Sequence, residues 1–310
     1  MDDPRLSALE ALNLKESRVA FCNSHVILLC GGRTPVKAHA DAPDPPISSF
    51  RHALILSNRH DLELYLPENI TDWKEDGIFN NLIELEVELA AISSLVVIIL
   101  ESPGSIAELG AFSQLPQFNE KLMVFLSREF HCDSFINLGI LRHIKKYNHD
   151  AVRVYPWETK YPASISEELI DDVCGDISEH IKGLPKNPKL KISNISHLFV
   201  IIYDIVELFV ALKESEIATY LNFFGIKLKT DDLRIKLFLM KKFGLLDHLD
   251  FSNSWYYLVS KNQFHRVAWS VNKGAKFDRL RTSVDCRKFY AESGKDKHRL
   301  RVIRQRFGAN

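Results

Sequence analysis

The run Leu95-Val96-Val97-Ile98-Ile99-Leu100, followed directly by Glu101-Ser102-Pro103-Gly104-Ser105-Ile106-Ala107-Glu108-Leu109-Gly110, constrains the fold more than any other stretch. Six apolar, largely β-branched residues without a polar interruption suit a strand covered on both faces, as in a parallel sheet. Pro103 and Gly104 then turn the chain, and Ser105 can cap a helix that begins at Ile106. A strand, turn and helix in this order place their loop at the carboxyl edge of the sheet, where open α/β folds bind ligands. Glu108, in the first turn of that predicted helix, faces the edge. The same residues admit a plainer reading. Ser105-Ile106-Ala107-Glu108 fits the capping box, in which the glutamate only returns a hydrogen bond to the cap residue.

The rest of the first half repeats the alternation. Residues 25–30 read as a strand ending in Gly31-Gly32, 48–58 as a helix, 62–66 as a strand ending at Pro67-Glu68, and 78–92 as an amphipathic helix. Strands at 121–127 and 151–155 follow, with helical patterns at 141–147 and 165–181. Strands alternating with helices imply βαβ units and an α/β fold with a doubly wound parallel sheet. Right-handed crossovers would gather Cys30-Gly31-Gly32, Pro67-Glu68 and 101–108 along one rim.

Gly183-Leu184-Pro185 and Pro188 mark a boundary, so the chain divides into domains at 1–185 and 186–310. Beyond it the period changes. Helical patterns at 195–213, 215–224 and 231–243 precede strands at 245–251 and 255–260 around Ser252-Asn253-Ser254. That is the outline of a winged helix, a mostly helical variant of a common nucleic-acid-binding arrangement.

A formal net charge of zero hides an asymmetry. Residues 261–310 carry fourteen Lys/Arg against four acids, or +10, which leaves −10 on residues 1–260. A basic helix or tail of that kind attracts phosphates, and Phe264, Trp269, Phe277 and Phe289 are interleaved with the cations. Lys276, Arg279, Arg281, Arg299, Arg301 and Arg304 are the candidate contacts to nucleic acid or a partner. The alternative is a basic helix that docks on the chain's own acidic part.

Five cysteines, at 22, 30, 132, 174 and 286, show no CxxC pairing, which argues against a disulfide framework. His131-Cys132 lacks partners at metal-ligand spacing, so no metal site is expected. No apolar run reaches the roughly 20 residues of a membrane helix, and Met1-Asp2-Asp3-Pro4 lacks a signal-peptide pattern. These features suit a cytoplasmic protein.

Cys30-Gly31-Gly32, Ser49-Phe50-Arg51-His52, Tyr65-Leu66-Pro67-Glu68 and above all residues 101–113 resemble the nucleoside deoxyribosyltransferase-like effector proteins encoded in bacterial retrons. The resemblance covers about residues 20–155. In nucleoside deoxyribosyltransferases the glutamate of a Glu-Leu-Gly segment takes the sugar, which implies Glu108 as nucleophile. An acidic residue on the preceding helix corresponds to Glu86. An asparagine in an Ile-Asn-Leu segment that serves a neighbouring subunit's site corresponds to Asn137, which implies a homo-oligomer. Those enzymes carry an aspartate where Ser102 stands, with Glu101 beside it as a substitute acid. Effectors of this kind are associated with NAD depletion in phage defence and with a reverse transcriptase bearing branched RNA-linked DNA, the msDNA.

The chemistry agrees with the resemblance. Breaking an N-glycosidic bond builds positive charge on ribose C1′, which a carboxylate stabilises or traps. Nicotinamide leaves NAD from an already cationic state, so loss of the acid at Ser102 hinders nucleoside transfer more than NAD hydrolysis. Catalytic candidates are therefore Glu108 and Glu86. Substrate-binding candidates are Cys30, Gly31, Gly32, Arg51, Glu68, Glu101, Ser102, Gly104, Ser105 and Asn137. No cofactor is called for, since NAD would be substrate. Each has a plainer alternative: tight turns for the glycines, a solvated helix face for Glu86, a turn residue for Asn137, a strand residue for Cys30. A metabolic nucleoside deoxyribosyltransferase, a nucleotide sensor without catalysis and a ligand-sensing winged-helix regulator also fit the pattern.

Overall fold

In the computed structural model the described residues are 3–22, 25–35, 37, 39, 43, 45–59, 62–71, 77–130, 133–251, 254–260 and 263–308. His131, Cys132, Ser252, Asn253 and Lys261 of the sequence reading lie outside them. The chain opens on helix α1 (Pro4–Ala11), capped by the Asp3 carboxylate, and runs directly into strand β1 (Leu12–Ala20). An alternating series follows: β2 (Val26–Cys30), α2 (Phe50–Leu56), β3 (Glu63–Tyr65), α3 (Leu82–Ile92), β4 (Leu95–Leu100), α4 (Pro103–Ser113), β5 (Leu122–Ser127), α5 (Arg142–Tyr147), β6 (Val152–Tyr155) and α6 (Glu167–Gly183). The last part holds α7 (Ile195–Phe209), α8 (Glu214–Phe223), α9 (Thr230–Lys242), β7 (Leu246–Phe251), β8 (Ser254–Val259), β9 (Arg266–Val271), α10 (Arg279–Glu292) and α11 (Lys297–Phe307).

Five strands form one parallel sheet in the order β3-β2-β4-β5-β6. The order reverses between β2 and β4, and in such sheets the carboxyl ends of those two strands flank the ligand crevice. Every residue of β4 and β5 is buried. Ile27, Leu29, Val97, Ile99, Met123 and Phe125 pack with Phe50 and Leu54 of α2 and Val173 and Ile177 of α6. The alternate residues Leu28, Val96, Ile98 and Val124 are also fully buried, so both faces are covered, as the unbroken apolar run requires.

Two compact units emerge: the described residues of 25–72 and 81–184, which hold this sheet, and those of 1–24, 73–80 and 185–310. The sequence reading puts residues 1–185 in one domain, whereas residues 3–22 pack with the second unit. Their placement has a physical cause. β1 pairs antiparallel with β9, and Arg5 bonds Glu216 at 2.8 Å.

In the second unit α7 is buried on nearly all sides and stops at Val210, whose φ of 72° cannot continue a helix. Leu212 then bridges Tyr257 of β8, α8 and α9 follow, and β7 and β8 close a hairpin. The basic C-terminal segment is two helices folded on this unit, with Cys286, Tyr290, Val302 and Ile303 buried and the Tyr290 hydroxyl donating to the Phe209 carbonyl at 2.9 Å. Among the described residues no helix is long and apolar enough to cross a membrane.

Candidate active site

The site begins where β2 ends, at two glycines. A Cβ on Gly31 would lie 3.0 Å from Arg51 Cβ and 3.1 Å from Ile99 Cβ, and one on Gly32 would lie 2.5 Å from Ser49 Cβ. Their lack of side chains therefore admits the first turn of α2. Glu101, just after β4, closes the joint. Its carboxylate accepts the backbone N–H groups of Gly32 at 3.0 Å, Phe50 at 2.7 Å and Arg51 at 3.0 Å. Burial pushes the Glu101 carboxyl above its ordinary value, and the three N–H donors and the Arg51 charge oppose that rise. These contacts correct two sequence expectations: the Gly32 N–H is taken by Glu101, and Glu101 is a structural tie rather than a substitute acid. The Gly31 carbonyl accepts the Ser102 hydroxyl at 3.2 Å.

The start of α4 also departs from expectation. The helix begins at Pro103, not Ile106, because proline has the helical φ and no N–H to leave unpaired. Ser102 is the N-cap, accepting the Ser105 N–H at 3.1 Å, and Ser105 returns a bond to the Ser102 N–H at 3.1 Å. The capping box is thus Ser102 with Ser105, and Ser105, buried and committed to it, is withdrawn as a substrate contact. Gly104 is exposed, with only Ser102 Oγ near an added Cβ, at 3.7 Å. Glu108 lies beyond the cap in the second turn, free of it.

That freedom shows in the carboxylates gathered between β2 and β4. Glu108 is half-buried, its Oε2 has no hydrogen-bond partner among the described residues, and the Cys30 thiol bonds the same carboxyl. Burial pushes Glu108 above the usual carboxylate range; the Arg51 charge opposes this and Glu68 adds to it. Glu86 reaches the same cluster from α3, where burial, then Glu108 and Glu68, push its carboxyl up to about 7. Cys30 is fully buried, and burial with the Glu108 charge holds it as a thiol, a donor instead of a nucleophile. Arg51, 2% exposed, forks onto Glu68 at 2.8 and 2.7 Å. Burial disfavours ionised Glu68, but the Arg51 pair outweighs it and holds the carboxyl below its usual range.

Cys30, Arg51, Glu68, Glu86 and Glu108, distant in sequence, therefore share one electrostatic neighbourhood. Asn137 does not join it. Its amide donates to the Phe130 carbonyl at 2.8 Å and the Ser134 hydroxyl at 3.2 Å, pinning the turn before a π-helical segment, Ile136–Leu141.

With this geometry in view, comparison with known proteins places the chain. A model of the family described as STM3845 retron effector protein matches residues 47–248, more than half of the chain. The chain belongs to this family. Two Escherichia coli proteins are similar to it. One, named "Retron Ec86 putative ribosyltransferase/DNA-binding protein", is 35% identical over 130 residues, 41% of this chain and 39% of the relative. The other, named "Retron Ec73 putative ribosyltransferase/DNA-binding protein", is 33% identical over 90 residues, 29% of this chain and 28% of the relative. In each case the match spans well under two thirds of the relative's own length.

The retron effector's C-terminal cations divide into two groups. Arg299 is buried, donating to Glu216 at 2.9 and 2.6 Å and to the Ala211 carbonyl at 2.6 Å. Arg279 pairs with the fully buried Asp204 and with Glu207. Neither guanidinium is free for a partner, a correction that follows from acids on α7 and α8 which the local sequence does not reveal. Arg301 and Arg304 are exposed, with Arg301 over the Phe251 ring at 5.4 Å. Lys276 and Arg281 line a cavity of about 720 Å³ beside α1, and Lys288 joins them. Lys288, one of the fourteen cations of the basic segment but not among the candidate contacts, lies seven residues after Arg281 on one helix face, the spacing that points to it.

Proposed function

We propose that this retron effector is an N-glycosidase that cleaves the ribose–base bond of NAD or a related nucleotide in the cytoplasm, with Glu108 under the anomeric carbon. One observation carries the reading: the buried Oε2 of Glu108, which has no hydrogen-bond partner among the described residues. Leaving a buried acceptor unpaired costs about 1–3 kcal/mol. Such an atom calls for an explanation, and a catalytic role is one that fits its place at the sheet rim. In the proposed reaction that partner is the C1′ cation. The C1′–N bond breaks, its electron pair departs with nicotinamide, and Glu108 stabilises or covalently traps the sugar. Water then bonds C1′, the electron pair of any C1′–O bond to Glu108 returning to that carboxylate, and releases a proton, for which Glu86, near pH 7 in its titration, is a suitable first acceptor.

The role of Ser102 as a helix cap supports a substrate that needs no acid on its leaving group. The relatives' ribosyltransferase names support glycosyl transfer as the class of chemistry. Their DNA-binding names, and a helix, bridge, two helices and hairpin in winged-helix order, support docking of the second unit on the retron reverse transcriptase and msDNA, which would hold the effector inactive. Asn137, beside exposed Phe135 and Leu138, would serve a neighbouring subunit in a homo-oligomer.

The test is incubation of the purified chain with NAD, nucleotides and deoxynucleosides, followed by chromatography for free base. Nicotinamide or another base released into water is the expected result. Base exchange between deoxynucleosides would favour the metabolic transferase, and no release from any substrate would overturn the proposal.

A further inference from the structure

A cation is built into the neighbourhood of Glu108, and the group that neutralises it is the member of the cluster least tied to the fold. The Arg51 side chain is 3% exposed and that of Glu68 is 59% exposed. Glu68 sits on a single 3-10 turn, Pro67–Asn69, and presents its two oxygens to Nη1 and Nη2 of Arg51. Nη1 also donates to the Gly32 carbonyl at 3.3 Å, while Nε is buried with no hydrogen-bond partner among the described residues.

The two partners are not equivalent. A buried guanidinium stripped of its anion is strongly unfavourable, whereas a largely exposed carboxylate loses little by turning into water. The anion is therefore replaceable and the cation is not. The planar fork that fits a carboxylate fits a phosphate equally well. Glu101 does not compete for the guanidinium, since its carboxylate is occupied by three backbone N–H groups.

We infer that Arg51 binds a phosphate group of the substrate and that Glu68 is a placeholder which the arriving phosphate displaces. The inference rests on the reading of this cluster as a nucleotide site, and it deepens that reading: the substrate carries phosphate on its ribose, and free nucleosides are excluded by the intact Arg51–Glu68 pair. The raised carboxyls of Glu86 and Glu108 lessen the repulsion that a phosphate dianion would meet there.

Calorimetric titration of the full chain with inorganic phosphate, ribose 5-phosphate and ribose tests the inference. Glu68→Gln removes the competing charge and should bind phosphate roughly tenfold tighter than wild type, the worth of one charge-assisted pair. Glu68→Gln with Arg51→Lys, which keeps the buried charge but loses the fork, should lose that gain. Ribose should bind more weakly than ribose 5-phosphate. Unchanged affinity in Glu68→Gln, a gain that survives Arg51→Lys, or equal binding of ribose and ribose 5-phosphate would overturn the inference. Should the double variant fail to fold, the ¹⁵N–¹H resonance of Arg51 Nε in wild type decides: it shifts on saturation with phosphate, or the inference is wrong. Phosphate binding that obeys these rules in a chain that releases no base would refute the N-glycosidase and leave the Arg51 site standing.

Discussion

A Glu101 carboxylate oxygen lies 2.7 Å from the Phe50 backbone nitrogen, so the residue that follows β4 also caps the helix that follows β2. Two neighbouring strands are thereby fastened at their carboxyl ends, where Cys30, Arg51 and Glu108 meet. Glu101→Ala would leave three backbone donors, those of Gly32, Phe50 and Arg51, without their acceptor. The expected loss is about 2–4 kcal/mol of folding stability, read by urea unfolding, and not a selective loss of turnover in a protein of normal stability.

Gly32 and Gly104 should respond oppositely to an added methyl group. Gly32→Ala forces a Cβ to within 2.5 Å of Ser49 Cβ and 2.9 Å of Glu101 Oε1, so about 1–3 kcal/mol should be lost. Gly104→Ala, with open space around it in the first turn of α4, should be neutral or stabilising by up to about 1 kcal/mol. Thermal unfolding of the two variants side by side checks the contrast.

Glu86 gives a pH signature with a definite sign. Its carboxyl titrates near 4.5 in the unfolded chain and at about 7 in the fold, so between those values the folded state binds more protons. Stability from this group is fully present below about pH 4.5 and is lost as the pH rises through about 7. Glu86→Gln should abolish that loss, gaining about 1–2 kcal/mol over wild type above pH 7 after allowance for partial exposure. The difference should vanish at pH 4, as measured by denaturant midpoints at both values.

Charge changes in α11 should separate folding from partner contact. Arg299→Ala removes a buried guanidinium from Glu216, which keeps Arg5, and from the Ala211 carbonyl, and should cost about 2–4 kcal/mol. Arg304→Glu, on the exposed face, should leave the unfolding midpoint unchanged while weakening oligonucleotide binding, by an amount that shrinks at high salt. Fluorescence anisotropy at two salt concentrations checks the second half.

The parallel sheet and its rim were legible because β4 and α4 carry local signals: an apolar run, a proline, a serine cap. The convergence of Cys30, Arg51, Glu68, Glu86 and Glu108 follows from topology once the strands are recognised. What escaped depends on partners far away in sequence. β1 was hidden because Lys15, Glu16 and Arg18 interrupt its alternation, its register with β9 shifts between Asn13 and Arg18, and its partner lies some 250 residues on. The basic segment looked like a free tail because the acids that absorb Arg279 and Arg299 sit on α7 and α8. Glu101 looked like spare acid because nothing local shows that three backbone N–H groups converge on it.

The central claim is that Glu108 meets the charge that appears on C1′ as the base leaves. The most direct test compares base release by wild type and Glu108→Gln at equal concentration, on whichever substrate wild type cleaves, with unfolding midpoints recorded for both. The account predicts a fall of roughly a hundredfold or more with the midpoint unchanged or raised. Release at the wild-type rate by the glutamine variant would contradict it.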